Sequence, residues 1–147
     1  MTNNPEAQLA GFLAAYSPEV AEKATAILAR MRVLLPHADA LVYDNYNALA
    51  VAFSPNGKTG AAICSIAVYP RWVSLFVSAK LDDPTGIMRG QGGRLRHVVL
   101  DDAVMLDRAD VAAFIAASIA RAQPPFDPAH MGQLVIKSVS AKQRPRR

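Results

Sequence analysis

Arg89, Gly90, Gly92, Gly93, Arg94 and Arg96 form a glycine run flanked by three guanidinium groups. Permissive backbone beside cations can turn its N–H groups onto an anion and hold it by hydrogen bonds and charge together. The run is not a P-loop, because Lys-Ser/Thr is missing and a strand follows where a helix should. Tyr43-Asp44-Asn45-Tyr46-Asn47 is a second group, whose amide and carboxylate side chains suit a loop that bonds its own backbone. A small anionic metabolite held by Arg89, Arg94 and Arg96 would have Tyr43, Asn45, Tyr46, Arg71 and Trp72 available as pocket walls. Other chemistry is hard to assemble. His37, His97 and His130 are far apart, without a second ligand at helical spacing, so a zinc site is not expected. Cys64 lies in an apolar run with no basic neighbour, as a buried inert thiol would. No nucleophile elbow is present, so the catalytic set is empty and no cofactor or metal is expected.

The elements that must position these residues follow from periodicity. Pro5 to Tyr16 predicts a helix with Leu9, Phe12 and Leu13 on one face. Ser17-Pro18-Glu19 is a strong helix start, and Pro36 stops that second helix near Leu35. From Leu41 to Leu100 the period changes to two. Ala48–Ser54, a return strand over about 60–69, the stretch 72–77 and Leu95–Leu100 read as strands joined mostly by tight turns, with a weaker strand at 41–43. Asp107 is the expected N-cap of a last helix, with Leu106 stapling onto Val111. Leu134–Val139 is β-branched enough for a final strand, and residues 141–147 are expected to fray.

One strand bears directly on function. Val73, Leu75 and Val77 make an aliphatic face fit for burial, whereas Trp72, Ser74 and Phe76 alternate onto the other side, with His97 on the next strand. If helices cover one side only, the second side is too apolar to be left bare and becomes a candidate interface. The expected class is therefore α+β: a central antiparallel sheet of five to six strands, with N- and C-terminal helices packed mainly on one face.

Bulk properties set the remaining bounds. A chain of 147 residues, 52% hydrophobic and 19% charged, is expected to be one globular domain over 1–140 with a basic tail at 141–147. The net charge of +4 resides in that tail, since removing Lys142, Arg144, Arg146 and Arg147 leaves 12 basic against 12 acidic residues. Nucleic-acid binding is accordingly disfavoured as a main role. No apolar run reaches membrane-spanning length, the start has no secretory pattern, and a lone cysteine suits a reducing cytoplasm.

The chain resembles the DUF1801, or YdhG-like, family of small bacterial proteins. The likeness is carried by Tyr43-Asp44-Asn45-Tyr46-Asn47, by residues 67–73, by Gly90-Gln91-Gly92-Gly93 leading to Arg96-His97, and by residues 136–147. It implies an α+β fold with a central antiparallel sheet and brings no agreed activity. Some such proteins are similar in fold to frataxin, which implies iron handling along an acidic ridge. Here the first two helices hold only Glu6, Glu19 and Glu22 beside Lys23, Arg30 and Arg32, so metal handling ranks low. The leading expectation is a non-enzymatic binding or assembly module, a homodimer or partner complex formed through Trp72, Ser74, Phe76 and His97. Behind it stand the anionic-metabolite protein, as a binder or an enzyme, and nucleic-acid tethering by the tail.

Overall fold

A computed structural model describes residues 4–91 and 93–147. Its helices are α1 (Pro5–Ala14), α2 (Pro18–Leu34) and α3 (Ala109–Ala120). Its strands are β1 (Asp39–Asp44), β2 (Leu49–Ser54), β3 (Cys64–Val68), β4 (Val73–Ser78), β5 (Leu95–Leu100) and β6 (Leu134–Val139). The strands form one sheet in the order β5-β4-β3-β2-β1-β6. All neighbours are antiparallel except β1 and β6, which run parallel with a bulge between Val42 and Tyr43. The class is α+β, as expected, with one parallel pair added to the meander.

Local chemistry starts the first two helices as the sequence indicates. Asn4 accepts from the Ala7 N–H and Ser17 from the Val20 N–H, each with proline in the first turn. The third start differs. Arg108 occupies the N-cap of α3 without a side-chain bond, and Asp107 ends a short 3₁₀ turn, 103–107, where it pairs with Arg30 at 2.9 Å. Asp102 caps that turn by accepting from the Met105 N–H. The extra 3₁₀ turn takes up Asp107 and moves the N-cap of α3 one residue on, to Arg108.

One core cluster unites the inward residues of all three helices with alternate residues of the strands. It takes Val42, Leu49, Val51, Phe53, Ile66, Val68, Val73, Leu75, Val77, Val98 and Leu100. Leu41, Ala52 and Ala67, from the opposite side of the same strands, are buried but lie outside it. The helices therefore cover a single face. After α3 the chain crosses below the strand ends to reach β6, tied there by His130 Nε2 to Asp39 at 2.9 Å and by the Gly132 N–H to Pro36 O at 2.9 Å.

Gly132 sits where a Cβ would collide with the Ala38 carbonyl, whereas a Cβ on Gly11, in α1, would meet nothing within 4 Å. Gly132→Ala should destabilise by about 1–3 kcal/mol through overpacking. Gly11→Ala should stabilise by about 0.5–1 kcal/mol through helix propensity. Urea unfolding of both variants checks the pair, and equal effects would contradict this packing.

Candidate functional site

The glycine loop turns out to guard an edge. Both Asp83 oxygens accept backbone N–H groups, from Ile87 and Met88 at 3.0 Å. The chain then returns along β5, where Arg89 and His97 exchange backbone hydrogen bonds of 2.7 and 3.0 Å. Gly90, at φ +100°, makes the bend that allows this. Arg96 is engaged within the loop, donating to Met88 O at 2.7 Å and Gly90 O at 3.2 Å, with Asp83 at 3.8 Å. The backbone groups proposed to cradle an anion instead cover an otherwise open strand edge. Gly93 and Arg94 lie exposed beyond the bend, and Gly92 falls outside the described residues.

The two loops proposed to share a ligand do not meet. Tyr43 to Asn47 join β1 to β2 at one end of the sheet, and the glycine loop joins β4 to β5 at the other. Strands β1 and β5 are also four places apart, roughly 19 Å at usual strand spacing. A pocket made of Arg89, Arg94 and Arg96 with Asn45, Tyr46 and Trp72 is therefore not formed.

The end of the sheet that carries Asn45–Ala48 holds a different assembly. Tyr16, just beyond α1, is almost fully buried; its hydroxyl donates to Val68 O at 2.6 Å and accepts from the Leu49 N–H at 3.1 Å. Burial pushes its phenol above the ordinary tyrosine range. The Arg146 guanidinium lies 5.6 Å from that ring and pairs with Asp44 at 2.9 Å, both side chains buried. It also donates to Asn45 O at 2.6 Å. Gln143 donates to Asp44 O, the Arg144 N–H to Tyr46 O, and Arg147 to the α1-terminal carbonyls of Ala14 and Ala15. The C-terminal residues expected to fray are thus strapped across the β1–β2 turn. Asn45 and Tyr46 contribute carbonyls to this strap, and the Tyr46 side chain is exposed.

Beside the strap lies the β3–β4 turn. Tyr69 and Trp72 stack at 4.8 Å with 20° between planes, and Trp72 remains 43% exposed. Asn47, Tyr69, Pro70, Trp72, Arg144 and Pro145 line a cleft of about 440 Å³. Arg71 points to a neighbouring cleft beyond Pro70, with Ser17, Glu19 and Arg147. Sequence reasoning named Arg71 and Trp72 here but missed Tyr16, Tyr69, Arg144 and Arg146. The Tyr69-Pro70-Arg71-Trp72 turn was a usable signal for the stack; nothing local marks Arg146 as the partner of Asp44, a hundred residues away.

The uncovered face carries the other candidate set. Ser74 lies between Ala67 and Val99 in register, fully buried, and its hydroxyl has no hydrogen-bond partner. Phe76 and His97 are paired across β4 and β5, with rings 5.2 Å apart. Tyr43 belongs to this face too, its hydroxyl meeting that of Thr59 from the β2–β3 loop. It therefore does not line a pocket with the glycine loop.

Catalytic and metal chemistry finds little material. Among the described residues no three His, Cys, Asp or Glu side chains gather as metal ligands. Burial pushes the Cys64 thiol up to about 12, far from a reactive thiolate. No helix among them is long and apolar enough to cross a membrane. No family model, curated protein or solved structure matches the chain. Three of the four stretches behind the family resemblance, Tyr43–Asn47, 67–73 and 136–147, meet at the strapped end, whereas the glycine loop does not.

Arg146→Ala would leave the Asp44 carboxylate buried and unpaired, and should cost about 3–5 kcal/mol in urea unfolding. Arg144→Ala, at an exposed side chain two residues earlier, should stay within about 0.5 kcal/mol of the parent. Similar small losses from both would mean the strap does not hold the end of the sheet.

Proposed function

We propose that the protein is a non-enzymatic assembly module that pairs with a second copy of itself through the uncovered sheet face. The observation carrying this reading is the composition of that face. From β5 to β1 its outward residues are Leu95, His97, Val99, Ser78, Phe76, Ser74, Ser65, Ala67, Ala50, Ala52, Ser54, Leu41 and Tyr43, of which Leu41, Ser54 and Ser74 are fully buried. Asp39, its one carboxylate, sits at a corner tied to His130. A solvated antiparallel face ordinarily alternates polar residues outward. This one is alanine and serine at its centre, with bulkier groups towards both sides and almost no charge.

Self-association suits it better than a charged partner. A face whose one carboxylate lies at a corner, held by His130, has little to repel its own copy across a two-fold axis, and homodimer interfaces are the more apolar kind. Magnitude sets the expected strength. Five strands of five or six residues give a platform of roughly 24 by 20 Å, about 480 Å² in plan. Stable interfaces cover about 800 Å² per partner, so the dimer should be weak and concentration-dependent. The DUF1801 resemblance is compatible with this reading and adds no activity to it.

Ser65 is only partly buried and faces outward at the centre of this surface. Sedimentation equilibrium should show a monomer–dimer equilibrium for the parent chain. Ser65→Arg should give a folded monomer across the same concentrations. A parent that stays monomeric at millimolar concentration, or a Ser65→Arg variant that still dimerises, defeats the proposal.

A further inference from the structure

We propose that the cleft between the β3–β4 turn and the C-terminal strap binds a planar aromatic ring carrying an anionic group, a nucleotide being the simplest ligand of that class. The ring half of the site is the Tyr69–Trp72 stack. Two rings at 4.8 Å with one member 43% exposed form a stack that a third ring can extend. The anionic half is Arg144, which lines the same cleft. Its side chain is exposed, and among the described residues no carboxylate pairs with it. A guanidinium matches a phosphate or carboxylate in two parallel hydrogen bonds.

The surroundings keep the cleft positive. Of the nearby carboxylates, Asp44 is neutralised by Arg146, and Glu19 lies in the neighbouring cleft, which also contains Arg71 and Arg147. Asn47 adds an amide able to donate and accept, as the edge of a base requires. The two walls are held rigidly. The aromatic wall closes on the Tyr69 N–H to Trp72 O hydrogen bond at 2.9 Å, and the arginine wall is fixed by the Arg144 N–H to Tyr46 O bond and by buried Arg146. A volume of about 440 Å³ suits one mononucleotide.

Trp72 is the only tryptophan, so its emission reports on the cleft directly. The full-length chain is titrated with adenosine 5′-monophosphate, adenosine, inorganic phosphate and a trinucleotide. The Ser65→Arg variant is titrated in parallel to remove any contribution from self-association. The monophosphate should change the emission saturably, and adenosine and phosphate should each bind at least tenfold more weakly. Arg144→Ala should weaken the monophosphate about tenfold while leaving adenosine unchanged. A trinucleotide that binds more tightly, with the same dependence on Arg144, upholds the chemistry and makes a nucleic-acid strand the source. Absence of a saturable change with millimolar monophosphate, or equal binding to the parent and Arg144→Ala, overturns the proposal. A phosphate response as strong as that of the monophosphate overturns its aromatic half.

Discussion

Unequal side chains on the two faces of one sheet are the constraint on which the rest depends. In β2, β3 and β4 every residue turned to the helices is large and apolar apart from Cys64: Leu49, Val51, Phe53, Ile66, Val68, Val73, Leu75 and Val77. At about 1.5–3 kcal/mol for each fully buried side chain, this face outweighs every polar contact in the molecule. It fixes strand register, because a slip by one residue would expose the whole set. It also fixes what the opposite face can be. That face is lined mainly by alanine and serine between β1 and β4, and Ser74 is fully buried there between Ala67 and Val99.

The sheet is finished differently at each end. At the glycine-loop end, backbone pairing between Arg89 and His97 and the Arg96 contacts seal the β5 edge. At the other end the polar groups converge on Tyr16, Asp44 and Arg146, where two buried charges neutralise one another beneath the strap. Such a pair adds little net stability, yet losing either partner is costly. It works as a fixing point. What it fixes is the Arg144 wall of the cleft, so the end whose residues looked most like a loose tail is the end where ligand chemistry is best organised.

Much of this was readable from local signals. The Ser17-Pro18 start, the Val73-Leu75-Val77 alternation and the β5 and β6 runs carry their own periodicity or capping chemistry, and each formed where it was expected. Apart from the displaced cap of α3, the failures share one physical cause. The parallel pairing of β6 with β1, the burial of Arg146 beside Asp44 and the return of Arg89 along β5 are contacts between distant or oppositely running segments. Residue type does not foreshadow them: an arginine in a basic run looks the same whether it is solvated or seated over a tyrosine. The sequence therefore joined Trp72 to Arg89, Arg94 and Arg96, which lie at the far end of the sheet, and not to Arg144, which lines the same cleft.

Contact between the uncovered faces of two copies can be read by isotope-filtered NOE spectroscopy on a mixture of labelled and unlabelled chains. Intermolecular NOEs are expected from the methyl groups of Ala50, Ala52, Ala67 and Val99, and none from Val51, Ile66 or Leu75. Intermolecular NOEs confined to the helical side, or none at concentrations where the protein is dimeric, would contradict that contact.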